Sequence, residues 1–244
     1  MNPLFNQIVG IDQTGALDSR GRFRPLYSVT LRLDARGSIL SHVIEFLPNL
    51  DLSRWRNSPC RTLILVDAVL GLPELLWQKK EKIRDLFSLT KGLTQFGMKG
   101  GEAFFSNLYQ ERSGKKLAAQ LSPTEFRKCD LIHGAHSLFR SKPYQRNVQT
   151  GTLRVWHELS RQNLDDVAIW PFDRVTRDAQ LVLVEGYPTI FKNQVLPTEV
   201  EFENPNFRDA GRLAWGAREQ MMTQKCFLAE FKTREGAIFS MHPG

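Results

Sequence analysis

Long apolar runs are missing from this sequence of 244 residues, and none approaches the ~20 residues that a membrane-spanning helix needs. We also expect no secretory signal, because no basic stretch followed by an apolar one opens the chain. Cysteine is scarce, and Cys60, Cys129 and Cys226 are far apart and form no CxxC pair. This pattern predicts reduced thiols in a cytoplasmic protein, rather than a disulfide framework or a zinc site.

The sequence also contains no internal repeat, no low-complexity tract and no Walker-type phosphate loop. These absences argue against a repeat architecture and against a P-loop nucleotide hydrolase. The apolar content of 41% and the charged content of 24% are ordinary for a globular protein. We therefore expect one domain, spanning residues 1–244, with a single sizeable core.

Negative charge is depleted in the middle of the chain. Residues 79–161 carry 16 lysines and arginines against 7 aspartates and glutamates, whereas the remainder carries 17 against 19. This positive excess favours a polyanionic partner, and it predicts nucleic acid. A solvated surface is the alternative, because the lysines are spaced regularly among apolar residues. The residues that we expect to contact nucleic acid are Arg127, Arg140, Lys142 and Arg146.

Three short apolar runs predict buried strands, and an acid ends each of them. The runs are residues 8–11, 62–66 and 181–184, and the acids are Asp12, Asp67 and Glu185. A lone carboxylate at the end of a buried strand is costly unless it is paired, coordinated or hydrated. Ligands of open α/β sheets bind beyond the carboxyl ends of the strands, so neighbouring strands would bring these acids together there.

Other periodic segments predict a hairpin and several helices around these strands. The alternating residues 27–33 and 38–46 flank a turn, so the first strand and the hairpin form three antiparallel strands. The remaining predicted elements are helices at 74–89, 102–112, 150–162 and from 207 onward, a helical turn at 188–192, a glycine-rich loop at 92–101, and short strands at 167–170 and 237–239. Strands that alternate with helices indicate a mixed sheet with helices packed on it.

A fourth acid, Asp209, lies in the first turn of the last predicted helix, whose alanines form a small-residue face that can lie close to a sheet. Four carboxylates in one small space cannot all stay ionised without cations. Mg²⁺ or Mn²⁺ suits such oxygen ligands, and two ions ~3.5–4 Å apart can hold the attacking and leaving oxygens of a phosphodiester. Taken singly, the strand-end acids can instead cap turns or helices or pair with an arginine, and Asp209 can complement the helix dipole.

Seven segments, in this order along the chain, resemble a family of uncharacterised proteins described as predicted nucleases with an RNase H-like fold. They are GIDQTGA at 10–16, LVDAVLGLP at 65–73, FRKCD at 126–130, SLFRSKP at 137–143, EGYPT at 185–189, DAGRLAWGA at 209–217 and REGAIF at 234–239. The chain departs from the family at Val69, where a proline often stands, and at Ala237, where tryptophan is usual. Neither departure removes a carboxylate.

The resemblance implies an α/β fold with a mixed five-stranded RNase H-like sheet, helices on both faces and a basic insertion at about 74–163. It implies that the metal-binding and catalytic acids are Asp12, Asp67, Glu185 and Asp209. Arg127, Asp130 and Ser137 also match family motifs and are expected at the rim of the site. There they contact a phosphate or the acids, or Arg127 and Asp130 form a structural pair. Glu235 is a further candidate acid of the site, with a local turn as its alternative role.

Three functions are compatible with these features. The first is a metal-dependent nuclease that cuts DNA or RNA. The second is ATP-dependent phosphotransfer, because GIDQTG at 10–15 is similar to the first hairpin motif of the sugar-kinase, actin and heat-shock ATPase group, although those proteins use two such domains. The third is a nucleic-acid-binding or interaction module that keeps the fold without catalysis. We expect none of them to involve a membrane.

Overall fold

A computed structural model gives the fold and describes residues 5–117, 126–135, 137–139, 146–176, 178–193, 196, 202 and 204–222. Its strands are β1 (Gln7–Asp12), β2 (Leu26–Leu33), β3 (Ile39–Leu47), β4 (Thr62–Val66), β5 (Val167–Trp170) and β6 (Leu181–Glu185). Its helices are α1 (Ser53–Arg56), α2 (Ile83–Ser88), α3 (Gly97–Ser113), α4 (Lys128–His133), α5 (Arg146–Ser160) and α6 (Pro205–Met222). Short 3₁₀ helices lie at Glu74–Leu76 and Pro188–Phe191.

One mixed sheet organises the fold, with the strand order β3-β2-β1-β4-β6-β5. β1, β2 and β3 are antiparallel neighbours, as the predicted hairpin requires, while β4, β6 and β5 run parallel to β1. The predicted α/β class and mixed sheet are therefore confirmed. The short strand predicted at 167–170 is confirmed, and it pairs with β6 at the edge of the sheet. The number of five strands that the resemblance implies is wrong, because the sheet has six strands among the described residues. The strand predicted at 237–239 lies outside the described residues.

Helices cover both faces of the sheet, because the central parallel strands are apolar on both sides. α6 packs on one face, against side chains such as Ile8 and Val184. α2, α3 and α5 pack on the other face, over side chains such as Ile11 and Val66. The segment 74–163, predicted as a basic insertion, therefore supplies the helices of one of the two apolar clusters.

The small-residue face of α6 fits closely against β1. A Cβ atom at Gly10 would overlap the carbonyl oxygen of Ala210 and lie 2.8 Å from the backbone nitrogen of Ala214. Only glycine allows this approach, which brings the first turns of α6 to the carboxyl end of β1. The predicted close packing of this helix on the sheet is confirmed.

The helix predicted at 74–89 is wrong over its first part. The 3₁₀ helix ends at Leu76, and α2 begins only at Ile83. Between them Lys80 has a φ of 69°, a left-handed conformation that a continuous right-handed helix does not contain. The apolar residues with helical spacing are therefore divided between two short elements.

The glycine-rich loop predicted at 92–101 is wrong in its second half, because α3 begins at Gly97. A Cβ atom at Gly101 would lie 3.1 Å from the backbone nitrogen of Thr150 in α5. The glycine here allows two helices to pack closely and does not form a turn. The helix predicted at 150–162 also begins earlier than expected, at Arg146.

Candidate functional site

Two carboxylates meet where β1 and β4 end. These strands are parallel neighbours with Ile11 opposite Val66, so Asp12 and Asp67 stand side by side at the carboxyl edge of the sheet. The backbone N–H of Asp67 donates to the carbonyl of Ile11 at 2.9 Å, and the two carboxyl groups share a hydrogen bond. Asp12 is buried and Asp67 is partly exposed. The structure thus brings together the first two predicted strand-end acids, hereafter the acid pair.

Both members of the acid pair have raised pKa values. Burial raises the pKa of Asp12 to about 9, and the charges of Asp67 and Asp209 add to this effect. Burial also raises the pKa of Asp67 to about 7, against the lowering effect of its hydrogen bond with Asp12. These raised pKa values favour a bound proton in the acid pair at neutral pH. A divalent cation takes the place of such a proton when carboxylates bind a metal.

Glu185, the third strand-end acid, is held by an arginine instead. Arg127 donates two hydrogen bonds to its carboxylate, both at 2.6 Å, and the N–H of Leu70 donates a third at 2.8 Å. The same guanidinium donates to Asp130 at 3.0 and 2.5 Å. All three charged side chains are almost completely buried. Arg127, Asp130 and Glu185 form a closed ion cluster, hereafter the arginine cluster.

The arginine cluster contains its own countercharge. Burial acts to lower the pKa of Arg127, but Asp130 and Glu185 outweigh it and hold that pKa well above its ordinary value. Burial raises the pKa of Glu185, and the ion pair with Arg127 opposes this effect. The pair with Asp130 and the contact with a predicted site acid, Glu185, are two of the three roles predicted for Arg127.

Asp209 approaches the acid pair from α6. Its charge raises the pKa values of both Asp12 and Asp67, so it lies within electrostatic range of them. Its side chain is partly exposed and forms an ion pair with Arg212 at 2.9 Å. Asn206, one turn earlier in α6, lines the cavity of the site. The four predicted acids are therefore arranged as one contacting pair, with two further acids that arginines hold nearby.

A cavity of about 350 Å³ opens over the acid pair. This volume falls within the range of ligand sites in proteins. Besides the acid pair and the arginine cluster, its lining includes Gln13, Thr14, Val148, Tyr187 and Asn206. β1, β6 and the residue after β4 thus supply acids to the lining of the cavity, and the first turns of α5 and α6 supply neutral side chains.

Sequence reasoning missed the residues that hold α5 behind the acid pair. Gln13 donates from Nε2 to the carbonyl of Asp67 at 2.9 Å, and a Cβ atom at Gly151 would overlap the Gln13 amide. The hydroxyl of Thr152 accepts a backbone N–H from the loop after β4, at 3.1 Å. The available signal was Thr-Gly-Thr at 150–152, because a glycine inside a helical pattern marks a close approach of another segment.

The other predicted site residues lie around or outside this region. Ser137 is buried, and its hydroxyl accepts the backbone N–H two residues later at 3.2 Å. Arg146 begins α5, whereas Arg140, Lys142 and Glu235 lie outside the described residues. Contact between these basic residues and nucleic acid stays a prediction. The described contacts of Arg127 are with carboxylates.

The carboxylate oxygens of the acid pair are suitable ligands for a hard divalent cation. Within the described ranges, no group of three or more His, Cys, Asp or Glu side chains is arranged to hold a metal ion. The acid pair nevertheless offers two adjacent carboxylates, and Mg²⁺ is commonly bound by one or two carboxylates together with water and substrate phosphates. Arg127 holds both carboxylate oxygens of Glu185, whereas Arg212 contacts only one oxygen of Asp209. Glu185 can therefore add a ligand only after leaving Arg127.

No protein-family model, no curated protein sequence and no solved structure matches this chain. In the part of the chain that the structure describes, no helix is both long and apolar enough to cross a membrane. The acid pair, the arginine cluster and the cavity are therefore the features from which a function can be inferred.

Proposed function

We propose that the protein is a metal-dependent nuclease, RNase H-like in fold, that hydrolyses phosphodiester bonds of DNA or RNA. The observation that carries this proposal is the acid pair, two touching carboxylates at a cavity, with pKa values that burial raises strongly. Such a pair is costly for the protein alone, and a divalent cation relieves the cost. The order of three antiparallel strands followed by parallel ones supports the proposed fold.

The described residues take separate roles in this proposal. Asp12 and Asp67 would hold Mg²⁺ or Mn²⁺ through their carboxylate oxygens. When bound, such an ion polarises a phosphoryl oxygen and lowers the pKa of an attacking water. Arg127 offsets the charges of Glu185 and Asp130, which reduces the repulsion between the cavity wall and a phosphate. Basic residues of the segment 79–161 attract the polyanionic substrate.

A two-ion site, as predicted from the sequence, needs more ligands than the acid pair provides. Glu185 and Asp209 are the nearest further acids, and each is held by an arginine. A second ion that uses Glu185 therefore requires that this carboxylate exchanges Arg127 for the cation, whereas Asp209 can offer the oxygen that does not contact Arg212.

A cleavage assay tests the proposal, with Mg²⁺ and with Mn²⁺, on single-stranded, double-stranded, hybrid and branched nucleic acids. We expect cleavage that needs the metal and falls at least ~10²-fold in Asp12→Asn, because the bound ion supplies several kcal/mol of transition-state stabilisation. Asp165→Asn is the matched control, since Asp165 is exposed and lies before the amino end of β5. Full activity of Asp12→Asn would contradict the proposal.

A nucleic-acid-binding module without catalysis is the second candidate. The observation that favours it is the lack, among the described residues, of a metal group with three or more ligands. Fluorescence anisotropy with labelled nucleic acid in EDTA separates the two. Tight binding that neither EDTA nor Asp12→Asn changes, without cleavage of any substrate, would support the module.

A further inference from the structure

A short hairpin between β1 and β2 is rich in arginine. The backbone N–H of Arg24 donates to the carbonyl of Ala16 at 2.9 Å, and the N–H of Asp18 donates to the carbonyl of Arg22 at 2.7 Å. These bonds close a small antiparallel ladder over residues 16–24, hereafter the basic hairpin. It contains one acid and three exposed arginines: Arg20, Arg22 and Arg24.

One side of the basic hairpin packs on the protein. Leu17 lies opposite Phe23 in the ladder, and both side chains face the start of α3. A Cβ atom at Gly97 would lie 3.2 Å from Leu17, and the ring of Phe23 lies 5.0 Å from that of Phe96. The guanidinium carbon of buried Arg154, in α5, lies 4.9 Å from the centroid of the Phe23 ring, and the same group donates to the hairpin backbone at 2.5 Å. The hairpin is therefore fixed to two helices.

The other side of the basic hairpin begins at the cavity over the acid pair. Side chains alternate along a strand, and opposite residues of an antiparallel pair project to the same side. Arg24 lies opposite Ala16, which lines the cavity. Arg22 lies opposite Asp18 and forms an ion pair with it at 3.0 Å, as this arrangement requires. The two arginines therefore project from a surface that borders the cavity.

These arginines lie within a few nucleotides of the acid pair. Tyr27 of β2 pairs with Asp12 in the sheet. Arg24 precedes Tyr27 by three residues, which span at most ~11 Å, and Arg22 precedes it by five residues, which span at most ~18 Å. One strand of a duplex advances ~3.4 Å per nucleotide along the helix axis. Phosphates up to ~5 nucleotides from a group held at the acid pair are therefore within reach of the basic hairpin.

The charge of the basic hairpin is available to an external anion. In the described part of the chain no acid pairs with Arg20 or Arg24, and Arg22 pairs with Asp18 while its side chain is 68% exposed. Such an exposed ion pair contributes little stability, so a phosphate can replace the carboxylate. Arg127, which also borders the cavity, is in contrast occupied by the two acids of the arginine cluster. The basic hairpin thus offers positive charge beside a cavity whose own arginine is neutralised.

We infer that the basic hairpin binds the sugar-phosphate backbone of a nucleic acid that reaches the cavity, with Arg22 and Arg24 on phosphates beside the acid pair. This inference rests on the proposed function and adds a contact surface outside the basic segment 79–161. The forked donors of a guanidinium match the oxygens of a phosphate. A membrane surface fits less well, because the apolar side chains of the hairpin face α3 and leave no apolar anchor outside.

Fluorescence anisotropy in EDTA tests this inference, with labelled single-stranded and double-stranded DNA and RNA of about 30 nucleotides, well beyond the ~5 nucleotides of reach. We expect the double variant Arg22→Gln/Arg24→Gln to bind at least ~10-fold more weakly at ~0.1 M salt, because two phosphate contacts are lost. The slope of log K against log salt should become shallower by ~1.4–1.8, at ~0.7–0.9 per contact. Arg24→Gln alone should give about half of this change in slope.

Arg32→Gln/Arg36→Gln is the matched control. It removes the same two charges from exposed positions, and Arg32 pairs with Gln7 at the opposite end of β1 from the acid pair. This control should bind like the wild type. Equal weakening in the control would overturn the inference, because the net charge alone would then explain the loss. Unchanged binding in Arg22→Gln/Arg24→Gln, or no binding of the wild type to any probe, would also overturn it.

The cleavage assay separates a failure of this inference from a failure of the proposed function. If Mg²⁺ and Mn²⁺ support no cleavage and the double variant still loses binding as expected, the basic hairpin binds nucleic acid and the nuclease proposal fails. If the wild type cleaves with metal and the double variant binds as tightly as the wild type, the nuclease proposal stands and the basic hairpin has no part in binding.

Discussion

Two groups of acids lie at the same edge of the sheet, and their negative charge is compensated in different ways. In the arginine cluster, Arg127 lies between Glu185 and Asp130 and makes ion pairs of 2.6 and 2.5 Å with them. In the acid pair, Asp12 and Asp67 contact each other, and a proton takes the place of a countercharge. The arginine cluster contains a countercharge within the protein itself, whereas the acid pair needs a bound proton or a bound cation in that role.

On the proposed function, this difference separates the acids that stabilise the edge of the sheet from those that bind the metal. A buried carboxylate that an arginine neutralises depends on that partner and is poorly available as a ligand. A buried carboxylate pair without such a partner destabilises the fold and is typical of a functional site. Three experiments test this division, and their expected effects decrease from the first to the last.

Replacement of Arg127 by methionine should have the largest effect on stability. It leaves two buried carboxylates without a countercharge, which lowers the free energy of unfolding by about 3–5 kcal/mol. Urea denaturation of Arg127→Met and of the wild type at pH 7 measures the difference.

Arg212→Met is the matched control for this experiment. It frees Asp209, whose side chain is 36% exposed, so we expect a loss of less than ~1 kcal/mol. Addition of Glu185→Gln to Arg127→Met should restore part of the lost stability, since it removes one of the uncompensated charges. An effect of Arg127→Met as small as that of the control would show that the arginine cluster does not stabilise this edge.

The sequence predicts where the acids lie, but it does not predict which of them an arginine holds. Acids at the ends of apolar runs are local signals, and the predicted strand ends at Asp12, Asp67 and Glu185 agree with the structure. The contact of Arg127 with Glu185 joins residues 58 positions apart, so no local pattern reports it. The helix predicted across Lys80 is wrong because helical spacing of apolar residues does not reveal the left-handed residue that interrupts it.

The second experiment concerns the acid pair, where Asp12→Asn should make the metal-free protein more stable at alkaline pH. The pKa of Asp12 is about 9 in the fold against an ordinary value of 3.8, so between these pH values the folded state binds more protons than the unfolded state. The stability of the wild type therefore falls as the pH rises, by up to ~1.4 kcal/mol per unit. Asparagine does not titrate, so the variant should gain roughly 2–4 kcal/mol over the wild type between pH 5 and pH 8.

Urea unfolding in EDTA across this pH range measures that gain. Asp165→Asn removes an exposed carboxylate, and its stability should run parallel to that of the wild type. If the curve of Asp12→Asn also runs parallel to the wild type, the acid pair holds no proton, and the two groups of acids do not differ in the way described.

Metal binding should give the smallest of the three effects and the sharpest comparison. At a free Mn²⁺ concentration ten times the Kd at pH 8, the wild type should gain about 1.4 kcal/mol of stability. At the same Mn²⁺ concentration the gain should be smaller at pH 6, because the ion then has to displace a proton. Thermal unfolding with and without Mn²⁺ measures it. The gain should vanish in Asp12→Asn and persist in Glu185→Gln, because the acid pair holds the ion while Glu185 stays with Arg127. Loss of the gain in Glu185→Gln would mean that Glu185 exchanges its arginine for the cation, and the two groups of acids would then act as one site.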